Sequence, residues 1–217
     1  MHAGQGSISV VLVDDQMFRD AVAHAVADDT EIDLVGMAGT LAGARQLAAD
    51  LQPMVTVLAH WLPDGDGVTG ARRVLRVAPA TKVLLLADAE GSVLADAIDA
   101  GCAGFLTKDR GLGELVSAVR ALAAGDAYVP PDLLTALIAE RGDPRLAPGR
   151  DVTHRELEVL RLAADGLTSQ AIADELGVTL NTVRNHVQAA ITKLGAHSKL
   201  EAVVIAIRER LIDIHDG

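Results

Sequence analysis

The chain has 217 residues, 50% of them hydrophobic and 23% charged, with a single cysteine. This supports one large or two modest globular domains, excludes a wholly disordered chain, and leaves Cys102 unable to form an internal disulfide or a cysteine-built zinc site. A formal charge of −11 argues against a general nucleic-acid binder. No apolar run nears the ~20 residues that span a bilayer. Met1–Ser7 lacks the basic and apolar regions of a signal peptide, so a cytoplasmic protein without a membrane partner is expected.

Residues 1–125 alternate between two periods. Short β-rich runs at Ile8–Val13, Ile32–Ala38, Val55–Ala59, Lys82–Ala87 and Gly104–Thr107 are separated by helical stretches near 16–27, 40–51, 67–77, 91–100 and 111–124. In the first helix Phe18, Val22, Ala25 and Val26 fall at i, i+4, i+7, i+8. Five strands alternating with helices predict an α/β fold, a doubly wound parallel sheet with helices on both faces. Its functional crevice should lie beyond the carboxyl ends of the strands, where Asp14, Asp15 and Lys108 stand.

The alternation stops at Tyr128-Val-Pro-Pro131. Residues 126–150 are expected to hold one helix, Asp132–Arg141, and a linker rich in Pro and Gly, Gly142–Arg150. Residues 151–217 predict a small all-α domain of four helices. Thr153 with Glu156 forms a capping-box pattern before a helix ending near Ala164. Thr168 caps a short helix to Leu176, Gly177 turns the chain, Thr179 caps Leu180–Leu194, and a last helix runs from Ser198 to about Ile212. Short helix, tight turn and longer helix have helix-turn-helix proportions.

The third of these helices carries the clearest functional signal. Val183, Val187, Ala190, Ile191 and Leu194 form its buried stripe. The opposite face holds Asn181, Arg184, Asn185, Gln188 and Thr192, all able to hydrogen-bond and none acidic. Although the protein is acidic, Gly177 to Leu200 contains Arg184, Lys193 and Lys199 and no Asp or Glu. Arg suits guanine edges and Asn or Gln adenine edges in the major groove of double-stranded DNA, while Thr179, Thr182 and Lys193 are placed to hold phosphates. His186 lies toward the buried side and reads as a packed histidine. The last helix is apolar on two sides, and Ala202, Ile205 and Ala206 on its second side suggest a homodimer.

Thr153-His-Arg-Glu-Leu-Glu-Val-Leu160, Gly166-Leu-Thr-Ser-Gln-Ala-Ile-Ala173 and Asn181-Thr-Val-Arg-Asn-His-Val187 through Lys193-Leu-Gly195 resemble the LuxR-type DNA-binding domain. The first half resembles a response-regulator receiver, so the whole chain resembles the NarL/FixJ family of response regulators. The resemblance implies a transcription regulator in which Arg184, Asn185 and Gln188 enter the major groove. Many relatives carry Lys where Gln188 stands.

Receivers accept phosphate on an aspartate within a pattern Asp-x-x-x-Pro-x-x-Asp-Gly. Pro63, Asp66 and Gly67 match it, but the first position is Ala59, which has no nucleophilic atom. The hydroxyl residue expected at the end of the fourth strand is Ala87, while Lys108 and the acidic pair Asp14 and Asp15 match the family pattern. The pocket of Asp14, Asp15, Ala59, Ala87 and Lys108 is therefore expected to be vestigial, with Lys108 paired to Asp14 or Asp15, no metal or cofactor held, and no enzymatic activity. Strand alternation turns His60 away from the crevice, and Asp64, Asp66 and Asp88 are weaker alternative acceptors. The signal that replaces phosphate is left open between a small ligand, a constitutive homodimer and a heterodimer with another response regulator. Ala95, Ile98, Cys102 and Phe105 offer a docking face.

Overall fold

The computed structural model describes residues 7–88, 93–140 and 152–212. The expected linker Gly142–Arg150 lies outside the described residues, as do residues 91 and 92 of the fourth predicted helix. In chain order the amino-terminal elements are β1 (Ile8–Val13), α1 (Gln16–Ala25), β2 (Ile32–Ala38), α2 (Leu41–Leu51), β3 (Val55–Ala59), β4 (Trp61–Leu62), β5 (Gly65–Asp66), α3 (Gly67–Val77), β6 (Lys82–Ala87), α4 (Leu94–Asp99), β7 (Gly104–Thr107) and α5 (Leu112–Ala123). The main sheet is parallel, in the order β2-β1-β3-β6-β7. All five predicted strands are present with their predicted bounds. The two-residue hairpin β4–β5 is additional, and is too short to leave a period in the sequence.

Both faces of this sheet are covered, which explains why its strands read as continuous apolar runs. Every residue of β3 is buried. Val10, Leu12, Val55, Val57, Leu84 and Leu86 pack with Val22 of α1 and Leu115, Val119 and Leu122 of α5. Val11, Val13, Leu58 and Leu85 face the opposite way, toward α2, α3 and α4.

That second core continues into the carboxy-terminal half, through α6 (Pro131–Glu140), α7 (His154–Ala164), α8 (Ser169–Glu175), α9 (Leu180–Leu194) and α10 (Lys199–Arg208). Leu134, Leu137, Leu160, Ala190, Leu194, Val203 and Ile207 all belong to it. A separate small core of Val159, Leu162, Ile172, Ala173, Val183 and Val187 binds α7, α8 and α9 together. Thr153 and Glu156 form the capping box expected of them, and Gly177, at φ 62°, makes the turn between α8 and α9.

The second apolar side of helix α10, expected to meet another copy, is covered in this structure by α4 and α6 of its own chain. Ala202 and Ala206 are fully buried, and Ile205 is half-buried. Of the expected docking face, Ile98, Cys102 and Phe105 are buried and Ala95 is half-buried, with α10 packed on α4. An apolar stripe states that something must cover it, and here the covering surface belongs to the same chain. Among the described residues no helix is long and apolar enough to cross a membrane.

Candidate functional site

Two sets of residues carry chemistry, at opposite ends of the sheet. At the carboxyl ends of the strands, β3 closes on Ala59, whose methyl group is completely buried. The start of α3 is pressed against this point. A Cβ on Gly67 would lie 2.2 Å from the Ala59 carbonyl oxygen, so only glycine fits there. Ala87 ends the adjacent strand and likewise offers no hydroxyl.

Lys108 fills the resulting gap in the charge pattern. Its Nζ donates to Asp14 Oδ1 at 2.8 Å, and lies 3.5 Å from Asp88 Oδ1 and 3.9 Å from Asp15 Oδ2. It also sits 5.2 Å over the Phe18 ring. Burial raises the Asp14 carboxyl above its ordinary value despite the ammonium beside it. Burial opposes the charge on Lys108, but the bond to Asp14 and the neighbouring carboxylates outweigh it and raise its pKa. The Phe18 N–H holds Asp15 below the usual carboxylate range. The pairing of Lys108 with Asp14 is thus as the sequence predicted.

The acidic pair is only partly committed, because Asp14 Oδ2 is buried without a hydrogen-bond partner among the described residues. Asp14 Oδ1 is taken by Lys108 and by the Asp15 N–H, and Asp15 Oδ1 accepts the Phe18 N–H that starts α1. Where the family pattern places a further carboxylate, the Ala59 methyl offers no oxygen ligand.

Among the alternative acceptors Asp88 is exposed, 3.5 Å from Lys108, while Asp64 and Asp66 hold backbone N–H groups. Asp64 receives the Leu41 and Ala42 N–H groups, which hold its carboxyl below the ordinary range. Asp66 caps α3 through Val68 and Thr69, and those bonds overcome its burial to lower it too. His60 stacks on Trp61 at 4.5 Å between ring centroids, with its Nε2 3.5 Å from Asp66. Cys102 is sealed in the core, and burial pushes its thiol up to about 12, so it is an inert packed side chain.

At the other end of the sheet, α9 presents its polar face. Asn181, Arg184, Asn185 and Gln188 are exposed, and Val183, Val187, Ala190 and Leu194 are buried, which is the division predicted. Thr179 caps the helix and its hydroxyl lies 2.8 Å from that of Thr182. Lys193 departs from expectation. Its Nζ donates to both oxygens of Glu156 at 2.9 Å, tying α9 to the capping box of α7 instead of standing free for a phosphate.

One edge of this polar face, at Arg184 and Gln188, lies beside the receiver. Arg184 donates to the Ala124 carbonyl at 2.9 Å, at the carboxyl end of α5 where a helix attracts cations. Beside it lies a buried polar clasp that the sequence reading missed. Asp126 Oδ1 accepts the Ser169 N–H and the Lys199 ammonium, both at 2.9 Å, and the Ser169 hydroxyl besides. All three residues are under 9% exposed. One signal was available: Lys199 is the first residue of α10, where the helix dipole disfavours a cation unless a carboxylate is near.

A five-stranded parallel receiver with its acidic pair and lysine, joined to a helix-turn-helix domain, defines the class of DNA-binding response regulators. Residues 10–120 match the model of the response regulator receiver domain, and residues 151–206 that of the bacterial regulatory proteins, luxR family. The chain is 38% identical over 209 residues to the probable transcriptional regulatory protein NarL of Mycobacterium tuberculosis, covering 95% of this chain and 96% of that protein. It is 34% identical to the DNA-binding transcriptional activator DevR/DosR of the same organism, over 92% and 94% of the two chains. A solved LuxR-family two-component response regulator from Aurantimonas sp. SI85-9A1 superposes with a TM-score of 0.58 at 27% identity, over 63% of this chain and 99% of that one. RcsB of Salmonella typhimurium shares the fold, with a TM-score of 0.57 at 23% identity over 92% and 97% of the chains.

The chain belongs to the NarL/FixJ family of response regulators and is a DNA-binding transcriptional regulator of that type. The relatives named are transcriptional regulators, not enzymes.

Proposed function

We propose that this regulator controls DNA binding without aspartyl phosphate, by making and breaking the contact between its receiver and its helix-turn-helix domain. The carrying observation is the buried methyl of Ala59 where the phosphoacceptor carboxylate belongs, next to a Lys108 already held by Asp14. In the closed form Arg184 is spent on the Ala124 carbonyl. Receiver and DNA therefore compete for α9, and whatever favours the separated form favours DNA.

Once separated, Arg184, Asn185, Gln188 and Asn181 read base edges of promoter DNA, with Thr179 and Thr182 on phosphates. Separation also uncovers Ala202, Ile205 and Ala206, which then serve a second copy in a homodimer. The signal that shifts this balance is not a phosphoryl group, and the protein acts in the cytoplasm.

Incubation with acetyl phosphate and Mg²⁺ followed by intact mass measurement tests the reading. The expected result is no added phosphoryl group. A stable phosphoryl adduct on the receiver that also tightens promoter binding overturns it. Binding to promoter DNA only when another response regulator is added replaces the homodimer by a heterodimer.

A further inference from the structure

A cavity of about 220 Å³ lies between the receiver and the helix-turn-helix domain, at the end of the sheet remote from Ala59. Lys82, the first residue of β6, lines it from the receiver, and Arg184, Gln188 and Lys199 line it from the other side. Cavities between domains are where small ligands preferentially bind.

The charge lining this space is uneven. Lys199 is neutralised by Asp126, and His197 at the margin faces Glu201 at 3.0 Å. Lys82 has no ion pair among the described residues, and Arg184 spends one N–H on the Ala124 carbonyl, leaving the rest of its fork free. Lys82, Arg184 and the Gln188 amide thus line one cleft partly open to solvent, with Val187 and Ile191 as an apolar wall and neither cation in an ion pair among the described residues. Hydrogen bonds from such cations are strongest to carboxylate and phosphate oxygens.

We infer that this interdomain cavity is a binding site for a small multivalent anion, a polycarboxylate or phosphate ester, that holds the regulator closed. The coupling follows from the residues themselves. Arg184 and Gln188 cannot engage the anion and base edges at once, so anion and DNA exclude each other, and each weakens the other by the same factor. The inference rests on the proposal that domain separation, not phosphorylation, licenses DNA binding.

The test uses the full chain, titrated calorimetrically with citrate and, separately, with pyrophosphate, at ionic strength held constant with chloride. The expected result is saturable binding of one equivalent of at least one probe. Lys82→Met is expected to weaken it about tenfold or more, the worth of one charge-assisted hydrogen bond. Lys82 is exposed and outside the reading face, so the variant should bind a promoter fragment as the parent does when no anion is present. The bound probe should lower the parent's DNA affinity and leave the variant's less affected. Preference for citrate identifies a carboxylate ligand, and preference for pyrophosphate a phosphate. No saturable binding of either probe, or equal binding by parent and Lys82→Met, overturns the inference and leaves the proposed function standing. A phosphoryl adduct that controls DNA binding overturns the proposed function whatever the probes do.

Discussion

The two ends of the parallel sheet have diverged in what they can do. The crevice beyond the carboxyl ends keeps its acidic pair and its lysine, yet Lys108 is bonded to Asp14 beside a methyl group, with Asp14 Oδ2 left buried and without a hydrogen-bond partner among the described residues. The opposite end holds the polar face of α9, from which Arg184 is bonded to the receiver. On the proposed function, retained charge at the first end is structural, and at the second it is poised between the receiver and DNA. Residue identity alone therefore does not mark a working site, because the same Lys and Asp serve chemistry or scaffolding according to what completes them.

The sharpest way to break this comparison is to undo the clasp. Lys199→Met strands the Asp126 carboxylate in a buried site, a loss of about 3–5 kcal/mol when one partner of a buried pair is removed. Amide exchange in α9 should accelerate, and the full chain should bind DNA more tightly. Adding Asp126→Leu removes the stranded charge and should recover much of the lost thermal stability. Unchanged exchange in α9 would show that the clasp does not hold the domains together. The next effect concerns the reading face. Arg184→Ala should cost about 1–3 kcal/mol of binding at one base position, seen as relaxed specificity there. It also removes the bond to Ala124, so the variant's domains should separate more readily.

The crevice can be sharpened by restoring what it lacks. Ala59→Asp places a third carboxylate beside Asp14 and Asp15, completing a set of oxygen donors for a hard cation. The variant should lose thermal stability without metal and regain about 1.4 kcal/mol at a Mg²⁺ concentration ten times its Kd. The parent should show no such Mg²⁺ dependence. A parent melting temperature that rises with Mg²⁺ at constant ionic strength would mean that Lys108 has not closed the site.

Much of this architecture was legible because it is local. The five strands declared themselves as apolar runs, and the α9 stripe at Val183, Val187, Ala190 and Leu194 separated cleanly from its polar face. Ala59 needed only the spacing from Pro63, and Ala87 its place at the end of the fourth predicted strand. What stayed hidden depends on partners distant in the chain. Nothing local to Ala202 and Ala206 distinguishes a second copy from α4 and α6 as their cover. Lys193 looked free for phosphate because Glu156, 37 residues away, had already been assigned to a cap. The Asp126–Ser169–Lys199 clasp joins three segments that no sequence period connects.

That double duty of Glu156 yields the smallest expected effect, and one confined to the helical domain. Burial pushes its carboxyl up, but the Lys193 ammonium and the Thr153 N–H and hydroxyl outweigh burial and hold it below its ordinary 4.5. A carboxylate with a depressed folded value contributes stability that is present above the unfolded value and lost as pH falls through the folded one. The α7–α9 contact should therefore be intact at neutral pH and weaken progressively below pH 4.5. Glu156→Gln keeps the shape but removes the titrating charge, so its thermal stability should be lower at neutral pH and flatter in that acid range. Parallel pH profiles for parent and variant would show that Lys193 gains nothing from Glu156, and would return that lysine to the set available for a DNA phosphate.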